Sequence, residues 1–186
     1  TSRAAPSRRP RIWLTTTSHP AGWRQSAGGP LPKRRTALTI DPQVSHKDWP
    51  LTISIDETWY FRPEGGYLLI SPADETQCMP CDSQPDELDI AKCINLIERV
   101  TNIKIREVVS KRAGLRTFVP DGSPVCGYAE DVNGFFWLVG QGGYGIQTAP
   151  ALSVIAADLI LKQKKQSGPL VQGIMAEDLS PARMMD

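Results

Sequence analysis

The residues whose types and spacing could do chemistry lie in the stretch 111–158. Ala113-Gly114-Leu115-Arg116 places one arginine among small and apolar residues. An arginine that is removed from water needs an anionic partner, and the two arms of its guanidinium match a carboxylate. Arg116 could therefore bind the carboxylate of a substrate, or it could form an ion pair with one of the chain's own acidic residues.

A glycine-rich segment follows, in which Gly140-Gln141-Gly142-Gly143-Tyr144-Gly145-Ile146 separates an apolar strand pattern from an apolar helical pattern. Glycine lets the backbone pass close to a neighbour, and it leaves amide groups accessible at the start of the helix. Those amides and the positive end of the helix dipole favour negative charge. The pattern alone gives equal weight to a ligand-binding turn and to a tight turn without a ligand.

The chain has four cysteines: Cys78, Cys81, Cys93 and Cys126. The first two have the C-x-x-C spacing that is typical of half a zinc site or of a redox pair. Zinc would need two further ligands, and a redox pair normally opens a helix, whereas this motif lies in a proline-containing loop. We therefore predict cysteines without chemistry and no metal site. This cysteine content favours a reducing compartment such as the cytoplasm.

Length and charge exclude some classes of protein. The chain has 186 residues and a net charge of +1 at pH 7, which suits one domain or slightly more. The net charge argues neither for nor against a nucleic-acid partner, and we expect none. No apolar run is long enough to span a membrane.

Residues 1–32 differ in composition from the rest of the chain. Eight of the 21 basic residues and none of the 20 acidic residues lie within positions 1–35. Five prolines interrupt residues 1–32, and neither a helical nor a strand period fits them. We predict a disordered or non-homologous lead-in here. The functional alternatives are a targeting peptide, although the prolines would break its amphipathic helix, and a basic arm that binds nucleic acid. Translation in a wrong reading frame is a further alternative.

Hydrophobic periodicity predicts the elements that must position these motifs. Strands are expected at residues 36–40 and 51–55, a hairpin at 59–71 with its turn at Gly65-Gly66, and a further strand at 103–110. Ile90, Ile94, Ile97 and Val100 predict a helix after Asp86. Residues 135–139 predict a strand that is buried on both faces. A helix should run from near Gln147 to about Lys162, followed by a loosely docked tail.

These motifs, in this order, resemble the C-terminal end of the FAD-dependent D-amino-acid oxidase and glycine oxidase family. The resemblance covers about residues 33–162 and is strongest at 113–127 and 135–151. It implies an α+β fold, with a mainly antiparallel substrate-domain sheet and the last strands and helix of a Rossmann-like FAD-binding domain. The implied organisation is a lead-in (1–32), a substrate-binding sheet with one helix (33–110), part of the FAD-binding domain (111–165) and a tail (166–186).

The resemblance also implies roles for particular residues. Arg116, Tyr60 and Tyr144 would bind an amino-acid or amine substrate, although core packing is an equal alternative for each tyrosine. FAD would lie against Gly140, Gln141, Gly142, Gly143, Tyr144, Gly145, Ile146, Gln147 and Thr148. The implied reaction is hydride transfer from the substrate to flavin N5. It needs no strong general base, so no catalytic side chain is predicted.

Members of this family open with a strand, G-x-G-x-x-G and a helix that hold the FAD pyrophosphate. Nothing before Lys33 resembles that pattern. We therefore expect the C-terminal part of an oxidoreductase, which a missing N-terminal half would complete. The expected partners are that missing half or further copies of the chain in a homo-oligomer. The alternative is a truncated, non-catalytic fragment or a module that binds small molecules or proteins.

Overall fold

A computed structural model describes residues 11–14, 29–130, 132, 134–161 and 173–184. The described strands are β1 (Arg11–Leu14), β2 (Leu31–Ile40), β3 (Thr52–Ile53), β4 (Tyr60–Glu64), β5 (Tyr67–Ser71), β6 (Thr76–Gln77), β7 (Val108–Phe118), β8 (Val125–Tyr128) and β9 (Phe135–Val139). The α-helices are α1 (Glu87–Val100) and α2 (Gly145–Leu161), and short 3-10 helices form at Glu177–Leu179 and Pro181–Met184. Helices combined with mainly antiparallel strands confirm the predicted α+β fold class.

Contacts divide the chain into two compact units. The first, the central unit, is Pro32–Leu115, and the second, the terminal unit, is Thr1–Leu31 with Arg116–Asp186. The sheet of the central unit has the order β3-β4-β5-β2-β6, and β7 pairs with β2. The hairpin prediction is confirmed, because Glu64 lies opposite Tyr67 and Gly65 and Gly66 form a two-residue turn. Their φ values of +60° and +89° suit glycine and match a type I′ turn.

The core of the central unit lies between this sheet and α1. Asp86 caps the helix by accepting a hydrogen bond of 2.9 Å from the Leu88 amide. The buried side of α1, with Cys93 fully buried, packs against Leu38 and Phe61 of the sheet. Cys93 packs in the core, as predicted, and its burial raises the pKa of the thiol to about 12.

Two strand predictions in the central unit are confirmed only in part, since the strand predicted at 103–110 begins at Val108. Residues 103–107 form no strand, because side chains take their backbone donors: Thr101 Oγ1 accepts from the Ile103 amide at 3.2 Å, and Glu98 accepts from the Ile105 amide at 2.9 Å. The strand predicted at 51–55 shortens to β3. Its apolar residues are exposed, with Ile53 50% and Ile55 fully accessible, because β3 is an edge of the sheet.

The sheet of the terminal unit has the order β1-β9-β8. β1 runs parallel to β9, with Arg11 opposite Phe135, and β8 pairs antiparallel with β9. Within residues 1–32, the prediction that no strand forms is therefore wrong at β1, whose Ile-Trp-Leu run is too short to show a period and is fixed by pairing with β9. Residues 1–10 and 15–28 of that stretch lie outside the described residues.

The predicted C-terminal helix is confirmed as α2, which packs on β8. Its buried residues Leu152 and Ile155 contact Cys126 and Phe136 of the sheet. Helix α2 begins two residues before the predicted start, which makes Pro150 its sixth residue, so the Ile146 carbonyl has no helical donor. The prediction that β9 is buried on both faces holds only in part, since Trp137 and Leu138 are half-buried.

The prediction of a loosely docked tail is wrong for residues 173–184. Leu179 is buried in the core with Phe136, and Pro181 is buried against β8. A Cβ on Gly127 would lie 2.7 Å from Pro181 Cδ, so the glycine makes room for this contact. Neither described helix is long and apolar enough to cross a membrane.

Candidate functional site

The glycine turn (residues 140–144) lies between β9 and α2 and is hydrogen-bonded to β7. The Gly142 amide donates to the Thr117 carbonyl at 3.0 Å, and the Tyr144 amide donates to the Gln141 carbonyl at 2.9 Å. Gly142 has φ +51°, and a Cβ there would lie 2.8 Å from Phe118 Cε1. Only glycine accommodates both this conformation and this approach. The turn is therefore fixed against the strand that carries Arg116.

Arg116 is half-buried beside this turn. Its Nη1 lies 3.5 Å from the Gly142 carbonyl oxygen, a long hydrogen bond, and a Cβ on Gly143 would be 3.6 Å from the same atom. Among the residues that the structure describes, no Asp or Glu forms an ion pair with Arg116. The sequence left two roles open for Arg116, a substrate contact and an internal ion pair. For the internal ion pair, the described residues supply no acidic partner.

The first turn of α2 is open. The Thr148 amide donates to the Tyr144 carbonyl at 3.0 Å, so it is already used. For the amides of Gly145, Ile146 and Gln147, no acceptor is found within the described ranges. The first turn contains no acidic residue, whereas the first turn of α1 contains two and a capping aspartate. Within the described residues, the positive end of the α2 dipole therefore has no acidic side chain in its own first turn.

The two predicted tyrosines lie in different units. Tyr144 belongs to the glycine turn, and 45% of its surface is exposed. Its carbonyl accepts both the amide of Thr148 and, at 2.9 Å, the Thr148 hydroxyl. Tyr60 is half-buried at the start of β4, opposite Ile53 and Ser71. The structure brings Arg116 together with the glycine turn, while the substrate-binding roles of Arg116, Tyr60 and Tyr144 stay predictions.

Sequence reasoning missed Arg183, which fastens the C-terminal segment to the loop after β7. Its Nε donates to Asp121 Oδ2 at 2.7 Å, and its Nη2 donates to the Ser123 and Pro124 carbonyls at 2.6 and 2.9 Å. Ser123 O would lie 3.6 Å from a Cβ on Gly140, so this loop borders the glycine turn. No local pattern could reveal an interaction between residues about sixty positions apart.

The Arg183–Asp121 pair makes stability depend on pH. The hydrogen bond from Arg183 lowers the pKa of the Asp121 carboxyl below its usual value. A carboxyl with a lowered folded-state pKa stabilises the protein above its unfolded pKa of about 4, and that contribution is lost as the pH falls through the folded value. We expect urea unfolding between about pH 7 and pH 3 to show a smaller loss of stability in Asp121→Asn than in the wild type.

Asp82→Asn is the matched control, since Asp82 is exposed and enters no described ion pair. It should keep the wild-type pH profile. If the free energies of unfolding of the wild type and of Asp121→Asn differed by the same amount at every pH in this range, a titrating Asp121 would be contradicted.

The chain is similar to known proteins both in sequence and in fold. The sequence profile of the FAD dependent oxidoreductase family (DAO) matches residues 16–159. Similar solved structures include glycine oxidase from Geobacillus kaustophilus, 19% identical with a TM-score of 0.57, covering 80% of this chain and 40% of that protein. Iminodiacetate oxidase from Chelativorans sp. BNC1 is 14% identical with a TM-score of 0.62, covering 83% of this chain and 40% of that one.

A third similar structure is the deglycating enzyme fructosamine oxidase from Aspergillus fumigatus. It is 14% identical with a TM-score of 0.59, and the match covers 75% of this chain and 38% of that protein. The chain thus spans about 40% of the length of the structures it matches. At these identities the likeness establishes a shared fold.

Proposed function

Because the chain belongs to the family of FAD dependent oxidoreductases, we propose that it forms the flavin-ring and carboxylate-binding part of a site that oxidises an amino acid or a related amine. The observation that supports this most directly is Arg116, a half-buried cation beside the glycine turn with no acidic partner in the described part of the chain. A site that holds an unpaired guanidinium favours a ligand with a carboxylate.

The residues of the glycine turn fit a flavin ring. The Gly145, Ile146 and Gln147 amides have no described acceptor, and no acidic side chain competes for the helix end. When bound, the flavin would accept a hydride and become more negative around N1 and the C2 carbonyl. Amides that already point from a helix start stabilise such charge without reorganising. Thr148 would lie beside the flavin without donating its backbone amide to it, because that amide already donates to the Tyr144 carbonyl.

Arg116 would bind and orient the substrate through two parallel hydrogen bonds to its carboxylate. Its present bond to the Gly142 carbonyl is long at 3.5 Å, so little is lost when a carboxylate takes its place. Thr117, the next residue on β7, holds the Gly142 amide at 3.0 Å. This backbone bond fixes the arginine relative to the turn, and fixed geometry is what lets a binding residue align the reacting atoms.

Three further considerations support this class of substrate. Tyr144 lies in the same turn as the proposed ring-binding amides and is partly exposed, and the family resemblance gives Tyr60 a place in the substrate layer. The names of the similar structures refer to the oxidation of glycine, iminodiacetate and fructosamine. All three substrates are amines, and the first two carry carboxylates.

Anaerobic flavin reduction tests the proposal directly. Glycine, N-methylglycine and D-alanine are each mixed with the flavin-loaded holoenzyme, and loss of the oxidised flavin band is followed. Their carboxylate-free counterparts, methylamine, dimethylamine and ethylamine, serve as matched controls. We expect at least one of the amino acids to reduce the flavin and its counterpart to fail. Equal rates within a pair, or no reduction by any of these amino acids, would count against the proposal.

A role as a protein-binding module is the second candidate. The observation that favours it is the exposed apolar side of the β3 edge, which Leu51 and Ile53 form together with the fully accessible Ile55. The same experiment separates the two candidates, because a binding module would give no amine-dependent reduction.

A further inference from the structure

The central unit contains a cavity of about 660 Å³ on the α1 side of its sheet. Its walls come from the segment between β2 and β3, from Thr52 on β3, from Phe61 on β4, and from residues 101–104 and Arg106 after α1. Known small-molecule sites have volumes of about 300–1,000 Å³ and mainly apolar walls with a few polar groups. The volume and the walls are therefore those of a ligand site.

Two aromatic rings form the apolar wall. Trp49 and Phe61 have ring centroids 6.0 Å apart and planes inclined by 58°. Phe61 is 8% exposed within the core, and a hydrogen bond of 3.0 Å from the Trp49 amide to the His46 carbonyl fixes the turn that carries Trp49. Trp59 already stacks on Phe61, with ring centroids 5.9 Å apart. The half-buried Trp49 ring is therefore the main aromatic surface that a third ring would meet.

The charged part of the lining is entirely basic. Lys104 and Arg106 are its charged members, both exposed, and neither has an ion-pair partner in the described ranges. The segment that carries them is held by the bond from the Ile105 amide to Glu98. The Glu98 carboxylate accepts this backbone bond, and no acidic residue lines the cavity. The site therefore combines an apolar interior with a basic entrance.

This cavity shares no residue with the Arg116 site. Phe61 faces α1 and its core. Tyr60, its neighbour on β4, points to the opposite face of the sheet, because side chains alternate along a strand. The proposed substrate face of the central unit and the cavity are therefore on different sides of the sheet.

We infer that this cavity binds an aromatic carboxylate as a second ligand, with its ring packed against the Trp49 side of the aromatic pair and its carboxylate at Lys104 and Arg106. An apolar ring meets few polar groups inside the cavity and leaves none unsatisfied. The carboxylate stays at the entrance, where both cations are free to pair with it and water still reaches it.

Calorimetric titration of the purified 186-residue chain with naphthylacetate tests this, with the uncharged isostere naphthylacetamide beside it. The double variant Lys104→Gln/Arg106→Gln removes the basic entrance. Its matched control is Lys92→Gln/Arg99→Gln, which removes the same charge from exposed positions on α1 outside the cavity.

We expect saturable binding of the acid by the wild type and by the control variant. The entrance variant should bind about 5- to 30-fold more weakly, the scale of losing two partly exposed ion pairs, and the amide should show a similar loss. Absence of saturable binding, equal binding of acid and amide, or equal weakening in both variants would overturn the inference. Because the flavin is absent from this titration, its outcome is independent of the proposed oxidoreductase function.

Discussion

Replacing Arg116 by alanine is expected to weaken the binding of substrate carboxylates to the flavin-loaded enzyme by about 2–5 kcal/mol, the scale for removing one partner of a desolvated charge pair. The guanidinium is half-buried, and no described acidic residue would compensate for its loss. A titration with a carboxylate inhibitor, followed through the flavin spectrum, measures the dissociation constant without turnover. An unchanged constant would refute the role assigned to Arg116.

Arg112→Ala is the matched control on the same strand. Its guanidinium is 57% exposed and already pairs with Glu64 at 2.8 Å, so its removal should change carboxylate affinity by less than about 1 kcal/mol. Arg116→Lys keeps the charge but loses the planar fork, and it should give an intermediate affinity. If both arginine-to-alanine variants weaken binding equally, net charge rather than a specific clamp explains the effect.

Phe136→Ala is expected to reduce the free energy of unfolding by about 3–5 kcal/mol, the range for deleting a fully buried aromatic side chain. Phe136 is completely buried in the core of the terminal unit, and its ring meets Tyr128 edge-on with centroids 5.0 Å apart. The cavity left by the ring would border Cys126 and Leu152, which belong to paired and helical segments that cannot collapse freely.

The matched control is Ile146→Ala, since Ile146 is an apolar residue of the same unit but is 95% exposed. Its replacement should change stability by about 0.5 kcal/mol or less. Urea unfolding followed by circular dichroism measures both variants. Comparable losses in the two would show that the terminal unit does not have the core described above.

The sequence by itself determined the elements whose signals are local. The hairpin at Gly65-Gly66 follows from two residues that must adopt positive φ, and α1 follows from its apolar period and the cap at Asp86. The position of α2 after the glycine turn follows in the same way. That Arg116 lies beside this turn is seen only in the structure, where the next residue on β7, Thr117, accepts a hydrogen bond from the Gly142 amide.

Only the tertiary structure decided features that depend on distant residues. The sequence predicts a strand at residues 103–107, yet none forms there. The Glu98 and Thr101 side chains accept hydrogen bonds from the backbone amides of this segment, which are then not available for strand pairing. β1 exists because β9 offers a parallel partner, and the C-terminal segment is docked because Arg183 finds Asp121 in the loop after β7. Composition and period describe how one segment would satisfy its own backbone and apolar groups. Only the folded chain determines which distant residues pair with these backbone groups and cover these apolar side chains.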